Sequence, residues 1–168
     1  MPDDTGTKAH DAPRFNHVAM SVPADLLGEE GRREIVRFYH DVFGFEELPT
    51  ETIDRKRLVL GCGRLDQFIF LIADDPPMTC PRLDHYGFSV QSEEHFDDLL
   101  ARAKAFREHD DRVEIIDRKT DDHSMLSITS FYVRYLLPMM VEIQWWDFKQ
   151  DRGTSYERAT AGTPGVGA

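Results

Sequence analysis

The sequence predicts an α+β domain in which two tandem βαβββ modules form a curled mixed sheet. The first observation behind this prediction is an internal repeat, because the segment 16–22 (NHVAMSV) resembles the segment 84–90 (DHYGFSV). The second is that a stretch of helical periodicity and then three strand-like runs follow each copy. The predicted modules therefore cover residues 14–76 and 82–148.

Each predicted helix has a recognisable start or end. Gly44 directly follows the first apolar helical face, and glycine commonly terminates helices. Ser92 is a suitable N-cap for the second helix, and Glu93 and Glu94 carry the charge that a first helical turn favours. The predicted buried stripes are Ile35, Phe38, Val42 and Phe43 in the first helix and Phe96, Leu99, Leu100, Ala103 and Phe106 in the second.

Strand-like runs complete the two modules. Those after the first helix are 46–51, 57–62 and 67–73, and those after the second are 113–117, 126–134 and 139–146. The last runs of the two modules correspond, so that Phe70 falls at the place of Glu142. The flanking segments 1–13 and 149–168 are polar or rich in glycine, threonine and alanine, which predicts disordered tails.

Composition and charge narrow the range of partners. The chain has 168 residues and a net charge of −11, from 31 acidic and 20 basic residues, whereas a nucleic-acid-binding surface is basic. No apolar run approaches the roughly 20 residues of a membrane-spanning helix. Cys62 and Cys80 form no CxxC pair and are too few for a disulfide scaffold. We therefore expect a cytoplasmic protein that binds a small molecule, and neither nucleic acid nor membrane.

Strand periodicity points to three metal ligands. Alternate residues of a strand share a face, so His17 lies beside the small Ala19, and His85 beside Gly87. Glu142 stands in the middle of an apolar run, where an unpaired carboxylate is costly to bury. One divalent metal held by His17, His85 and Glu142 would compensate that cost. The alternative is that both histidines are ordinary strand residues and that Glu142 pairs with an arginine such as Arg134.

Four segments carry a resemblance to a known family: RFNHVAMSV (14–22), IVRFYHDVFGFEE (35–47), LDHYGFSVQSEEHFDDLLARAKAF (83–106) and SFYVRYLLPMMVEIQWWD (130–147). In this order they resemble the vicinal oxygen chelate superfamily. That superfamily includes glyoxalase I, extradiol dioxygenases, methylmalonyl-CoA epimerase and the fosfomycin and bleomycin resistance proteins. The resemblance implies the paired βαβββ fold and a divalent metal on His17, His85 and Glu142.

The chain departs from the family pattern at two places. An Asp-Pro-x-Gly turn usually precedes the last strand, but residues 135–138 read YLLP. This apolar corner suggests a cover formed by ligand, partner chain or tail. Phe70 stands where lyase and epimerase relatives often carry a fourth ligand, so three protein ligands remain.

A three-ligand set with open positions favours Fe(II) and dioxygenase-type chemistry, while Mn(II), Ni(II) or Zn(II) favours the lyase and thiol-transferase relatives. The leading hypothesis is thus a metal-dependent enzyme acting on a small, oxygen-chelating, aromatic substrate. A glyoxalase-type lyase or thiol transferase is the first alternative. A non-catalytic binding or resistance protein is the second alternative.

Further residues complete the predicted site. The substrate pocket is assigned to Phe68, Phe70, Arg134, Gln144 and Trp146. The catalytic groups are assigned to Glu142, to His123 as an acid or base, and to Tyr135 as a hydrogen-bond donor to an oxygen at the metal. A solvated loop histidine is the alternative for His123.

We also expect a homodimer. The sheet edges of a βαβββ unit need a partner, and the apolar corner 135–138 favours a buried contact. The metal site can then lie within one chain or be split, with His17 facing His85 and Glu142 of a second copy.

Overall fold

The structure is a computed structural model and describes residues 13–149. The first module consists of β1 (His17–Val22), a 3₁₀ turn (Ala24–Leu27), α1 (Glu29–Phe43), β2 (Glu46–Glu47), β3 (Arg57–Arg64) and β4 (Gln67–Ala73). The second consists of β5 (His85–Val90), α2 (Glu93–His109), β6 (Glu114–Asp122), β7 (Leu126–Arg134) and β8 (Met140–Phe148). The predicted disordered tails, 1–13 and 149–168, lie outside the described residues except for Pro13 and Lys149.

The two sheets have the same topology, which confirms the predicted fold class of tandem βαβββ modules. The strand order is β1-β4-β3-β2 in the first sheet and β5-β8-β7-β6 in the second. In each sheet the first and last strands of the module are parallel, and the remaining neighbours are antiparallel. The equivalent strands β1 and β5 therefore form one edge of their respective sheets.

The strand register fixes which side chains share a face. Ala19 lies opposite Phe70 in the first module, and Gly87 lies opposite Glu142 in the second. Phe70 is therefore the structural equivalent of Glu142, as the repeat predicts. We call the face that carries these residues the ligand face of each sheet.

Both helices begin or end where the sequence indicates. Gly44 adopts a left-handed conformation (φ 71°), and its N–H donates to the His40 carbonyl at 2.8 Å. The Ser92 hydroxyl caps α2 by accepting from the His95 N–H at 3.2 Å. The predicted helical stripes are buried, except that Phe43 and Phe106 are only partly covered.

The strand ends differ more from prediction. β2 covers only Glu46–Glu47, because turn hydrogen bonds from Glu51 to Leu48 and from Thr52 to Pro49 replace strand pairing. β6 continues to Asp122, well past the predicted residue 117, since its polar residues pair with β7 as an edge strand.

The helices of the two modules pack against each other and give the chain one shared core. Phe38 of α1 contacts Phe106 of α2 (ring centroids 5.0 Å apart) and Tyr135 (4.6 Å). Phe45 of the first module meets Phe88 of the second at 5.2 Å. The helix-facing sides of both sheets are thus largely buried. The ligand faces carry many of the exposed strand side chains, although Met140 and Glu142 on the second ligand face are buried.

The apolar corner 135–138 is covered by the chain's own helices. Tyr135 is 1% exposed and Leu137 3% exposed, and the Tyr135 ring packs on Phe38 and Phe106. The expectation that ligand, partner or tail covers this corner is therefore wrong, and the corner gives no support for a dimer. Within residues 13–149, no helix is long and apolar enough to span a membrane.

Candidate metal centre

His85 at the start of β5 is held in one orientation by the backbone. Its Nδ1 lies 2.7 Å from the Leu83 carbonyl oxygen, and a carbonyl can only accept a hydrogen bond. Nδ1 therefore carries a proton, and the neutral ring has its lone pair on Nε2. That Nε2 atom lies 3.3 Å from Oε2 of Glu142.

Glu142 is buried on the ligand face of the second sheet. It is 6% exposed and lies between Gly87 on β5 and Tyr132 on β7. The missing side chain of Gly87 leaves space for the carboxylate, because a Cβ built there would lie 3.5 Å from Oε2. Among the described residues Glu142 has an ion-pair contact only with His85, while Arg134 pairs with Glu114. The alternative Glu142–Arg134 pair is not formed.

The facing atoms of His85 and Glu142 need a positive charge between them. A neutral Nε2 and a carboxylate oxygen are both acceptors, so their approach is unfavourable unless a proton or a cation joins them. Two ligand atoms that each lie about 2.1 Å from one metal ion are about 3 Å apart. The observed separation of 3.3 Å is therefore compatible with either occupant.

Tyr132 is the third group of this cluster. Its ring meets the His85 ring edge-on, with centroids 5.1 Å apart. Burial, together with the hydrogen-bonded Glu142 carboxylate, raises the pKa of the Tyr132 hydroxyl. The hydroxyl is thus kept protonated and can act as a hydrogen-bond donor at this site.

His17 on β1 shows the same kind of anchoring as His85. Its Nδ1 lies 2.8 Å from Oδ1 of Asn16, and its ring stacks on Phe68 with centroids 4.9 Å apart. Nδ1 can donate to the amide oxygen, which leaves the exposed Nε2 free to bind a metal. Each candidate histidine is therefore oriented through Nδ1.

One chain brings together two of the three predicted ligands. His85 and Glu142 are adjacent, but no group of three His, Cys, Asp or Glu side chains within residues 13–149 could hold a metal ion. His17 stands on the other sheet, at the edge strand of the first module.

The predicted pocket residues are divided between the two ligand faces. Phe68 and Phe70 accompany His17, with the Arg57 guanidinium 5.9 Å from the Phe70 ring centre. Gln144 and Trp146 accompany Glu142 on β8, and Trp146 Nε1 donates to Oε1 of Gln144 at 2.9 Å.

The structure does not bring Tyr135 or His123 to this cluster. The Tyr135 hydroxyl is on the helix side, where it donates to Asp110 at 2.7 Å and accepts from Arg112 at 2.9 Å. Its predicted catalytic role is therefore wrong, because the position after β7 turns the ring into the core. His123 is in the exposed β6–β7 hairpin, beside the end of β8 at Phe148. It lies about 20 Å along the strands from Glu142.

Two anchoring groups were not identified from the sequence. Asn16 directly precedes His17, and this polar neighbour was a usable signal. The Leu83 carbonyl that orients His85 is a backbone group and leaves no trace in residue types.

Comparison with known proteins agrees with this architecture. No protein-family model and no curated protein sequence matches the chain. Among solved structures, a lactoylglutathione lyase from Agrobacterium tumefaciens is similar with a TM-score of 0.56 and 18% identity, over 80% of this chain and 95% of that one. Fosfomycin resistance protein FosX from Mesorhizobium loti gives 0.55 and 14%, over 88% and 98%.

FosX from Listeria monocytogenes is similar with a TM-score of 0.54 and 19% identity, over 88% of this chain and 98% of that one. At such identities the likeness concerns the fold, and it extends over nearly the whole of each neighbour. The repeated module, the common strand order and these neighbours lead to one conclusion: the chain has the fold of the vicinal oxygen chelate superfamily, which glyoxalases and FosX proteins share.

Proposed function

We propose that this protein is a metal-dependent enzyme whose centre is built by two copies of the chain. His85 and Glu142 of one copy and His17 of the other hold one divalent metal. The observation that carries this proposal is the 3.3 Å contact between Nε2 of His85, whose ring is oriented through Nδ1, and Oε2 of the buried Glu142.

The need for a second copy follows from the placement of His17. The modules pack through their helices, so the ligand faces point away from the shared core. β1 and β5 are both edge strands, and unpaired strand edges favour association with another strand. If β1 of a second copy lies beside β5 in parallel and in register, His17 comes next to His85, because each histidine is the first residue of its strand.

The donor set fits a divalent metal. Two neutral imidazoles and one carboxylate are suitable ligands for Fe(II), Mn(II), Ni(II) and Zn(II), and each imidazole is oriented through Nδ1 as metal-bound histidines usually are. A bound metal supplies Lewis acidity toward the vicinal oxygens of a chelating substrate. Phe70 cannot coordinate, so positions for substrate remain open and Fe(II) is favoured.

The chain's own residues define the surroundings of the substrate. Phe68 and Phe70 of one copy and Trp146 of the other form apolar walls for an aromatic ring. The protonated Tyr132 hydroxyl beside Glu142 donates a hydrogen bond on the ligand face. The combination favours dioxygenase-type chemistry on an aromatic substrate with adjacent oxygens.

A second candidate is suggested by the neighbouring structures. The similar chains include a lactoylglutathione lyase and FosX proteins. A glyoxalase-type lyase or a transferase acting on an antibiotic-like molecule would use the same three ligands. A non-catalytic binding protein would not need the three metal ligands. Loss of metal binding on substitution of one of these ligands therefore argues against that alternative.

The test combines metal analysis with mixed dimers. Protein purified without oxygen should contain about one divalent ion per chain, and both His17→Ala and Glu142→Ala should lose most of it. His95→Ala, on the surface of α2, is the matched control and should keep the metal. Iron in the wild type supports the oxygenase reading, and nickel, zinc or manganese supports the lyase reading.

Dimers refolded from a mixture of His17→Ala and Glu142→Ala chains separate a split site from an intrachain site. A split site regains one intact centre per mixed dimer, whereas an intrachain site regains none. Retention of full metal content in Glu142→Ala, or a monomer at micromolar concentration by light scattering, contradicts the proposal.

A further inference from the structure

We propose that Arg134 and Arg82 form an anion-binding subsite on the ligand face beside His85. It would bind a carboxylate or another planar anionic group of the substrate. This inference rests on the proposed function, because the subsite would bind the acidic group of that enzyme's substrate. Its binding test is independent of the metal.

The position of Arg134 places it within reach of a substrate held at the metal ligands. Arg134 lies two residues after Tyr132 on β7 and shares its face, and Tyr132 lies opposite Glu142. The next position along β8 on this face is Met140, which pairs with His85. β7 and β5 flank β8, so their backbones are about 10 Å apart. An aromatic ring with a short acidic side chain spans such a distance.

Arg82, Glu114 and Arg134 form a group with two positive charges and one negative charge, next to the Glu142 carboxylate that is assigned to the metal. The Glu114 carboxylate accepts from Nε of Arg82 through one oxygen and from an Nη atom of Arg134 through the other. Within residues 13–149, neither arginine forms an ion pair with any other carboxylate. Two guanidinium groups therefore share one carboxylate, in a chain whose net charge is −11.

Other well-paired arginines of the chain are surrounded differently. Arg112 is paired with two carboxylates, those of Glu34 and Asp110. Arg118 is likewise paired with two, those of Glu93 and Asp97. Those clusters carry an excess of negative charge, so they repel anions. The Arg82–Glu114–Arg134 group has the opposite balance.

Arg134 also has donors to spare. A guanidinium has five N–H donors, and the bond to Glu114 is the one hydrogen bond that the Arg134 side chain donates within the described residues. Its side chain is 29% exposed, so the group is neither sealed in the core nor fully solvated. A partly desolvated, already oriented guanidinium is well suited to a second, bidentate contact with a carboxylate.

A matched control exists on the first module. Asp66 is also shared by two arginines, Arg14 before β1 and Arg64 at the end of β3, and both side chains are exposed (69% and 60%). Arg82 is equally exposed (60%), so the feature that this control lacks is a half-buried guanidinium such as that of Arg134 (29%). Water competes fully for such groups, and exposed pairs of this kind bind weakly. The inference therefore predicts no anion preference at Arg64.

The experiment compares benzoate with benzamide, two ligands of nearly the same shape that differ in charge. Binding to the full-length protein is followed by NMR, once as purified and once after chelator treatment. Benzoate should bind about tenfold more tightly than benzamide, which is the size expected for a charge-assisted hydrogen bond. Arg134→Gln should abolish this preference, Arg134→Lys should keep part of it, and Arg64→Gln should leave it unchanged.

Glu114→Gln provides the opposite change, because removing the shared carboxylate leaves both arginines free and should tighten benzoate binding. Circular dichroism checks that each variant is folded. Equal binding of benzoate and benzamide to the wild type, or a preference that survives Arg134→Gln, overturns the inference. The two proposals can fail separately. If Glu142→Ala retains all its metal but the protein still prefers benzoate to benzamide, the proposed metal centre is rejected and the anion subsite is supported.

Discussion

Phe70 and Glu142 occupy equivalent positions in the two modules, yet only Glu142 can bind a metal. Phe70 lies opposite Ala19 on β1, as Glu142 lies opposite Gly87 on β5. The two halves of the chain therefore offer unequal donor sets, one histidine in the first module against a histidine and a carboxylate in the second. The chemistry of the proposed centre depends on this inequality.

Replacing Phe70 by glutamate should tighten Zn(II) or Ni(II) binding, because a carboxylate then stands at the position equivalent to Glu142. Chelator competition measures the change, and at least a tenfold gain is expected, in line with one added ligand. Ile72→Glu is the control, since Ile72 lies on the same face of β4 but is farther along the strand. Equal effects of the two substitutions would show that the position of Phe70 is unrelated to the metal.

A side chain larger than a methyl group at position 87 should weaken metal binding. A Cβ at Gly87 makes an ordinary contact of 3.5 Å with the Glu142 carboxylate, so Gly87→Ala should be tolerated. The additional methyl groups of Gly87→Val reach the carboxylate and should displace it, with a clear loss of metal affinity. Titration with Zn(II) checks the order, and identical affinities for both variants are the contrary result.

Tyrosine-to-phenylalanine substitutions at positions 132 and 135 should have opposite consequences. Tyr132→Phe removes the hydroxyl next to Glu142 and should lower metal affinity about tenfold, the usual effect of losing a hydrogen-bond partner of a ligand. Tyr135→Phe removes the hydrogen bonds to Asp110 and Arg112, so it should lower thermal stability and leave metal affinity unchanged. Loss of metal affinity in Tyr135→Phe would instead restore the catalytic role first assigned to Tyr135.

The ion pairs of Arg112 with Glu34 and Asp110 should make the free energy of unfolding fall at acid pH. The Arg112 guanidinium, helped by the Tyr135 hydroxyl, holds the pKa of Asp110 below its usual range. Because the folded pKa is lowered, this contribution is complete above the unfolded pKa of about 4 and is lost as the pH falls below it.

Asp110→Asn should therefore reduce the free energy of unfolding at pH 7 and flatten its decline toward pH 3. Urea unfolding at the two pH values measures both quantities. Asp98→Asn, which removes an exposed helical pair with Arg102, should change little. An unchanged pH profile in Asp110→Asn would show that the cluster adds nothing to stability.

The N-cap of α2 should contribute to stability in the ordinary way. Ser92→Ala removes the acceptor for the His95 N–H and should cost about 1 kcal/mol in the free energy of unfolding. Ser124→Ala, in the exposed β6–β7 hairpin, should have no measurable effect. Chemical denaturation of both variants provides the comparison.

Strand periodicity and the internal repeat were sufficient to predict the fold and to assign strand residues to the two faces of each sheet. The alternation of small and bulky residues around His17 and His85 correctly predicted which side chains point away from the helices. The correspondence of Phe70 with Glu142 was also correct. These features follow from the alternation of residues between the two faces of a strand, which can be read from the sequence alone.

The features that the sequence could not predict depend on how the two modules pack together. Tyr135 is a chemically plausible catalytic residue by type, but α1 and α2 meet beneath it and bury its ring. The pairing of Arg112 with Glu34 joins residues of different modules, so it depends on how the modules pack. The separation of His17 from His85 within one chain has the same origin, because the chain packs helix to helix and leaves its sheet edges apart.

The shared core also sets how the chain should melt. Since Phe38 of the first module is packed on Phe106 and Tyr135 of the second, opening either module exposes an aromatic surface that belongs to both. Neither half then has a separate interior, and a partly unfolded form with one intact module loses most of its favourable burial. Calorimetry should accordingly record a single heat-absorption peak, and the two modules, although they repeat one another, should behave as one cooperative unit.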